Sequence, residues 1–184
     1  MPGRIVIVSG PPGAGKSTIA RKLALRAPGD LAIHLHTDDF YAYIKKGFVE
    51  PWRPESQAQN ITIMQALARS AATFAEGGYE VVVDGIVGSW FFEPWLEVAR
   101  AHSLDLRYVL LMPDEAQTVA RATARTAPGA MTDAAVVRTM WAHFRSFPLP
   151  DGHVLDTTGQ EAEHTFAAIR DGLAAGRFTL ETDR

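Results

Sequence analysis

The sequence predicts an α/β fold, in which a parallel β-sheet carries helices on both of its faces. Short apolar runs of strand length alternate along the chain with longer segments whose apolar residues recur at helical spacing. This alternation is typical of parallel strands joined by crossover helices. The first run, residues 5–8, is apolar throughout, as expected for a strand covered on both faces. The 184 residues show no internal repeat, low-complexity tract or linker, so we predict a single domain over residues 1–184.

The first half of the chain is predicted to contain three strands and two helices. Residues 4–9 form the first strand, and apolar residues at helical spacing predict a helix over residues 19–26. A Pro-Gly pair ends this helix and precedes a second strand over residues 32–37. A long helix over about residues 55–76 ends at a Gly-Gly pair, and residues 80–84 (EVVVD) form the third strand.

The second half continues the alternation of helices and strands. Apolar periodicity again distinguishes the helices from the short strand-like runs. In chain order, the prediction is a helix over residues 92–101, a strand over 106–112, helices over 114–125 and 132–144, a strand over 153–156 and a helix over 160–174.

A glycine-rich turn joins the first strand to the first helix and matches the pattern G-x-x-x-x-G-K-[ST] at every position. A loop of this kind wraps a phosphate in backbone N–H groups, and the helix N-terminus is directed at the same charge. The lysine is expected to reach the β- and γ-phosphates and the serine to bind Mg²⁺. The alternative is a glycine-rich turn without a ligand, but the strand and helix around the motif favour binding of a nucleoside triphosphate. The predicted phosphate loop consists of Gly10, Pro11, Pro12, Gly13, Ala14, Gly15, Lys16, Ser17 and Thr18.

Three aspartates lie where predicted strands end, at the edge of the sheet where ligands bind in such folds. Asp84 ends the third strand in a segment that resembles a Walker B motif, which predicts a Mg²⁺ ligand acting through a water. A turn or helix-cap residue is the alternative. Asp38 and Asp39 follow the second strand, and one of them could accept the proton of an acceptor hydroxyl. The alternative is that both aspartates cap the next segment, and their spacing alone does not favour either role.

The region over about residues 40–60 has the least regular pattern and is predicted to bind the phosphoryl acceptor, because long irregular insertions are uncommon unless they bind something. Its candidate acceptor-binding residues are Tyr41, Trp52, Arg53 and Asn60. Trp52 is a candidate platform for the acceptor. The alternative is that Trp52 anchors the loop to the core.

Arg121 and Arg125 are four residues apart on a predicted helix and precede a flexible segment over residues 126–130. This arrangement suits a lid, over about residues 121–132, that adds positive charge to the transferring phosphate. A solvated helix face is the alternative. His34 and His36 share one face of the second strand, but no third metal ligand is evident, so we interpret them as structural.

Composition limits the classes of function. The net charge of −3 and the absence of a cluster of basic residues give no sign of nucleic-acid binding. The chain has no cysteine, which excludes disulfides and thiolate metal sites. No apolar run is long enough to suggest a membrane span or a targeting segment, so we expect a cytoplasmic protein without membrane partners.

Together these features resemble the small P-loop kinases: the gluconate-kinase-like, shikimate-kinase-like and chloramphenicol-phosphotransferase-like enzymes, with zeta-toxin kinases as more distant relatives. The stretch over residues 47–56 looks most like kinase-like proteins sometimes labelled cytidylate kinases. A nucleoside monophosphate acceptor needs several arginines around its phosphate. Between residues 37 and 78 the chain has only Arg53 and Arg69, which favours an uncharged or weakly charged hydroxyl compound.

The resemblance also implies a P-loop NTPase fold of three layers, with a five-stranded parallel sheet in the order 2-3-1-4-5 and a small lid. It implies that Asp38 is the catalytic base and that Arg121 and Arg125 are lid arginines. It further implies that Thr157 and Thr158 lie against the adenine of ATP.

The predicted activity is ATP- and Mg²⁺-dependent phosphoryl transfer to a hydroxyl of a small metabolite, nucleoside or antibiotic. One alternative is a nucleotide-dependent switch or ATPase that acts on a protein partner. The chain lacks the Asn-Lys-x-Asp motif of guanine-specific switches and shows no added domain. Another alternative is a nucleic-acid 5′-end kinase, for which the acidic net charge is poor support.

Overall fold

The computed structural model describes residues 3–127, 129–146, 148–149 and 152–181. Within them, five parallel strands form one sheet. The strands are β1 (Arg4–Ser9), β2 (Ala32–His36), β3 (Glu80–Gly85), β4 (Asp105–Leu111) and β5 (Val154–Leu155). The helices are α1 (Lys16–Leu25), α2 (Thr37–Ala42), α3 (Gln57–Glu76), α4 (Glu93–His102), α5 (Glu115–Thr123), α6 (Ala134–Ser146) and α7 (Ala162–Ala174).

The strand order is β2-β3-β1-β4-β5, as the resemblance implies. The register aligns the carboxyl ends of three strands. Asp84 of β3 pairs with Val8 of β1 on one side and with His36 of β2 on the other. The turn after β1, the start of α2 and the end of β3 therefore lie side by side at one edge of the sheet.

Alternate residues of β1 pack into two separate cores, because successive side chains of a strand point to opposite faces. Ile5 and Ile7 belong to a cluster with residues of α3 and α4. Val6 and Val8 belong to a cluster with residues of α1 and α7. All four side chains are fully buried, which explains why this strand is apolar throughout and gives the predicted three layers.

Some boundaries differ from the sequence prediction. The second strand ends at His36, and a short helix, α2, follows where an irregular segment was expected. The N-terminal turn of α2 fits because buried Thr37 packs against Gly85, where a Cβ would lie 2.0 Å from the Thr37 Oγ1 atom. β5 is only two residues long. In the described part of the chain, no helix combines the length and apolar character needed to cross a membrane.

Candidate active site

The phosphate loop connects β1 to α1 and packs tightly against neighbouring backbone. Gly10 and Gly13 have φ values of +148° and +89°. A Cβ on Gly10 would lie 2.4 Å from the Leu111 carbonyl oxygen, and one on Gly13 would lie 2.5 Å from the Thr118 carbonyl oxygen. Both positions therefore require glycine. Helix α1 begins directly at Lys16, so its first N–H groups are available to an anion at the end of the loop.

Lys16 crosses this loop as a buried cation. Its Nζ donates a hydrogen bond to the Pro11 carbonyl oxygen at 3.0 Å, and the residue is 8% exposed. Burial lowers the pKa of Lys16 to about 8, against the attraction of Asp84, and the positive charge of Arg125 lowers it further. Among the described residues no carboxylate forms an ion pair with this ammonium group, and a bound phosphate would supply such a negative partner.

Asp84 is the centre of a hydrogen-bonded cluster at the end of β3. Its side chain is fully buried, and its Oδ2 accepts a hydrogen bond of 2.5 Å from the Ser17 hydroxyl. Its Oδ1 lies 2.6 Å from His34 Nε2 and 3.0 Å from His36 Nδ1. Burial alone would raise the pKa of Asp84, but the hydrogen bonds from His34, His36 and Ser17 outweigh it and hold that pKa well below its usual value.

An ionised carboxylate beside a serine hydroxyl fits Mg²⁺, which prefers oxygen ligands and uses few carboxylates. The sequence predicts Ser17 and Asp84 for this role, and the fold brings the two side chains into contact across 67 residues of chain. The metal role itself stays a prediction. Among the described residues, no group of three or more histidine, cysteine, aspartate or glutamate side chains could by itself hold a metal ion.

The two histidines contact Asp84, a position that the interpretation of them as structural did not specify. His36 contacts Asp84 through Nδ1, and its Nε2 lies 3.3 Å from Asp38 Oδ2. The carboxylates of Asp38 and Asp84, in that order of effect, raise the pKa of His36 to about 10. The signal available in the sequence was their alternate spacing, which places both rings on the face of β2 that ends beside Asp84.

Asp38 is the aspartate of the pair that faces the cluster. It lies in the first turn of α2, and its side chain is 76% exposed. The hydrogen bond from His36 lowers the pKa of Asp38, and Lys16 also favours its ionised form. Within the described part of the chain, the neighbouring Asp39 side chain forms no hydrogen bond or ion pair. Asp38 is thus an accessible carboxylate beside the phosphate loop.

The predicted acceptor segment is held to α3 by buried polar contacts. The Tyr41 hydroxyl donates to Asn60 Oδ1 at 3.0 Å, and Asn60 Nδ2 donates to the Pro51 carbonyl oxygen and to Ser56 Oγ. Asn60 is only 5% exposed. The predicted direct contact of Asn60 with an acceptor does not fit this geometry, because its amide is buried and occupied. Gln59 of the same helix also holds the segment, because its side-chain amide pairs with both backbone polar groups of Val49.

Trp52 and Arg53 lie on the outer part of the same segment. Trp52 is 47% exposed and belongs to neither core cluster. The alternative that it anchors the loop to the core is therefore wrong. Arg53 forms an exposed ion pair with Glu50, so its guanidinium group already has an acidic partner.

The two candidate lid arginines do not share a helix. Helix α5 ends at Thr123, so Arg121 lies in its last turn and Arg125 follows its end. The prediction of a common helical face is wrong because the helix is shorter than its apolar pattern suggested. Arg125 is nevertheless close enough to influence the pKa of Lys16. The lid itself stays a prediction, and Pro128 of its flexible segment lies outside the described residues.

The two threonines after β5 differ in their environment. Thr157 is buried, and its hydroxyl has no hydrogen-bond partner in the described part of the chain. Thr158 instead joins the loop to α5, because its hydroxyl accepts a hydrogen bond from the Asp114 backbone N–H at 2.8 Å. Contact of Thr157 with adenine stays a prediction, whereas the Thr158 hydroxyl already has a structural partner.

Several solved structures with the same fold are small kinases. A sugar kinase from Janibacter sp. HTCC2649 matches with 21% identity and a TM-score of 0.68, covering 98% of this chain and 100% of that chain. A gluconokinase from Sinorhizobium meliloti 1021 matches with 19% identity and a TM-score of 0.65, covering 95% and 93%. The APS kinase of Mycobacterium tuberculosis in complex with AMPPNP and APS matches with 18% identity and a TM-score of 0.66, covering 94% and 98%.

At these identities the likeness is one of fold. It confirms the P-loop NTPase α/β fold and the resemblance to small P-loop kinases. The sequence has no match among curated proteins. The model of the AAA domain family matches residues 5–147, a stretch that includes the phosphate loop, Asp38, Asp84 and both candidate lid arginines. The chain belongs to the AAA domain family.

Proposed function

We propose that the protein is an ATP- and Mg²⁺-dependent kinase that transfers the γ-phosphoryl group of ATP to a hydroxyl of a small molecule. The observation that carries this proposal is the position of Asp38. An accessible carboxylate stands beside the phosphate loop and 3.3 Å from a histidine that also contacts Asp84. A carboxylate at this place can orient an acceptor hydroxyl and accept its proton.

In this mechanism the chain positions groups and neutralises charge, because phosphoryl transfer requires little covalent chemistry from the protein. The loop N–H groups and Lys16 hold the phosphates, and Arg121 and Arg125 add positive charge where negative charge develops. Ser17 and Asp84 would hold Mg²⁺, which when bound neutralises phosphate charge. Asp38 orients the acceptor hydroxyl and accepts its proton as the new P–O bond forms and the bond to ADP breaks. The buried Thr157 would contact the base of the nucleotide.

The charges of the acceptor segment favour an uncharged acceptor. Arg53 is engaged by Glu50, and the Lys45 ammonium, which follows the end of α2, donates to the carbonyl of Ala42. An acceptor that carries a phosphate needs several free cations around it. A sugar-like metabolite, a nucleoside or a hydroxyl-bearing antibiotic fits this segment better than a nucleoside monophosphate. Trp52 and Tyr41 are the candidate contacts of such an acceptor.

The test is ADP release from MgATP across a panel of sugars, sugar acids, nucleosides, nucleoside monophosphates and antibiotics. Asp38→Asn is expected to lower kcat by about 10²–10⁴ on the responding acceptor, with nucleotide affinity little changed. Asp39→Asn is the matched control, because the neighbouring side chain forms no hydrogen bond or ion pair with the described residues; it should retain wild-type turnover. The same slow background with every acceptor would contradict the proposal and direct the search to a protein partner.

A further inference from the structure

The two histidines of β2 have an arrangement that the proposed transfer does not by itself require. His34 and His36 lie at alternate positions, and their register partners on β3 are Val82 and Asp84. Both rings reach the same oxygen of Asp84, at 2.6 and 3.0 Å, while the other oxygen receives the hydroxyl of Ser17. These contacts fix the plane of the Asp84 carboxylate, because one oxygen is bound by residues of β2 and the other by a residue of α1.

His36 is bound at both ring nitrogens. Its Nδ1 contacts Asp84, and its Nε2 contacts Asp38. The imidazole ring is rigid, so the two carboxylates cannot move independently of each other while both contacts persist. A single side chain thereby links the candidate metal ligand to the candidate base.

Stability alone does not account for the contact with Asp38. The Asp38 side chain is 76% exposed, and that of His36 is 31% exposed. Water would satisfy such a carboxylate, and exposed ion pairs contribute little to stability. Orientation, in contrast, matters at a catalytic carboxylate, because groups that hold reacting or ligating side chains often change affinity or activity 10- to 100-fold when they are removed.

We propose that His36 is a positioning residue that holds Asp38 and Asp84 in register with each other, one through each ring nitrogen, and that His34 fixes the same Asp84 oxygen. The inference rests on the proposed function, since it assigns a task to residues of that site. The task of the Nδ1 side is to orient the metal-binding carboxylate. The task of the Nε2 side is to orient the base toward the acceptor.

Two amide substitutions separate these tasks. The amide nitrogen of asparagine overlies imidazole Nδ1, and that of glutamine overlies Nε2. His36→Asn therefore keeps a donor for Asp84 and loses the contact with Asp38, whereas His36→Gln does the reverse. At His34, which uses Nε2, glutamine is the conservative replacement and asparagine the disruptive one. His102→Gln is the matched control, because His102 forms an exposed hydrogen bond with Glu76 outside the site.

The affinity for ADP is measured by calorimetry with and without Mg²⁺, and kcat and acceptor KM are measured on the responding acceptor. His36→Gln and His34→Asn are expected to weaken ADP binding about 10-fold in Mg²⁺ and not in its absence. His36→Asn is expected to lower kcat about 10-fold with Mg²⁺–ADP affinity unchanged. His102→Gln should match the wild type in both measurements, and His34→Gln, which keeps a donor for Asp84, should bind Mg²⁺–ADP more tightly than His34→Asn.

Two results would overturn the inference. One is that folded His36→Asn and His36→Gln both stay within twofold of the wild type. The other is that the two variants lose both properties equally, which would indicate a general structural role. A different result would contradict the proposed function itself: the wild type binds ADP no more tightly with Mg²⁺ than without it, or transfers phosphate to no acceptor. The Mg²⁺-dependent binding measurement still judges the His34 and Asp84 contacts when no acceptor is found.

Discussion

Replacing Lys16 with methionine is expected to stabilise the free protein while removing its response to ATP. Methionine is of similar length and carries no charge, so the variant removes the buried ammonium group and retains most of the packing. The reason lies in the environment of Lys16, which is 8% exposed and has the Pro11 carbonyl oxygen as its hydrogen-bond acceptor. No carboxylate of the described residues forms an ion pair with this ammonium group, so its charge is desolvated in the free protein, and the proposed function requires a charge at this place.

The magnitude follows from the pKa of Lys16, which burial lowers from 10.5 to about 8. That difference corresponds to a cost of about 3 kcal/mol for the charged lysine in the folded state. The variant leaves the Pro11 carbonyl without its donor, which offsets about 1 kcal/mol. The net gain of about 2 kcal/mol would raise Tm by roughly 4–8 °C for a chain of this size.

The pH dependence gives the sign of the effect. Because the folded-state pKa of Lys16 lies below the unfolded value, the cost is fully present below about pH 8 and disappears as the pH rises toward 10.5. The difference in Tm between Lys16→Met and the wild type should therefore be largest at pH 7 and fall to less than half at pH 9.5.

The assay is thermal unfolding of both proteins at the two pH values, with and without MgATP. MgATP should raise the Tm of the wild type, because a ligand stabilises the folded state to which it binds. It should leave the Tm of Lys16→Met nearly unchanged, because this variant is expected to bind MgATP weakly. Lys22→Met is the matched control on the same helix, since Lys22 forms a surface ion pair with Glu163 and should change stability by at most about 1 kcal/mol. A folded Lys16→Met protein with a Tm at or below that of the wild type at pH 7 would refute the reasoning.

Two further substitutions test the packing around the site. Gly13→Ala should weaken MgATP binding at least tenfold by calorimetry, because Gly13 has a φ of +89° and a Cβ would lie 2.5 Å from the Thr118 carbonyl oxygen. Gly78→Ala is the control and should retain binding, because Gly78 has a similar φ of +87° but no atom within 4 Å of an added Cβ. Equal affinities of the two variants for MgATP would contradict this prediction. Tyr108→Phe should lower Tm by roughly 2–4 °C in a thermal melt, because the buried hydroxyl donates to the Val87 carbonyl oxygen at 2.8 Å and such a bond is worth about 1 kcal/mol. An unchanged Tm would mean that the hydrogen bond from Ser9 to the same carbonyl is sufficient.

Local pattern in the sequence was enough to predict most elements of this fold. The apolar run of β1 required cover on both faces, and the structure buries Ile5 to Val8 completely. Boundaries were less accurate where local pattern competes with tertiary packing. Helix α2 begins directly after His36 because Thr37 fits against Gly85, a contact between residues 48 positions apart. Similarly, α5 ends at Thr123 although its pattern continued to Arg125.

The candidate site divides in the same way. The phosphate loop is encoded in consecutive residues, so the sequence by itself determined its place and its glycines and predicted that it binds a nucleoside triphosphate. Periodicity also determined that His34 and His36 share a face of one strand. It could not determine what that face meets, because the partner, Asp84, is 50 and 48 residues away and becomes a neighbour only when β2 pairs with β3.

The tertiary structure alone decided which polar residues are accessible and which are engaged within the fold. Asp38 and Asp39 are adjacent in the sequence, yet Asp38 contacts His36 and interacts with Lys16, whereas the Asp39 side chain forms no hydrogen bond or ion pair among the described residues. Asn60 resembled a binding residue, but it is buried among Tyr41, Pro51 and Ser56. Sequence spacing predicts which face of its own helix or strand a side chain lies on. Its partners and its solvent exposure depend on how distant elements pack, and these two properties determine whether a polar group can act on a substrate.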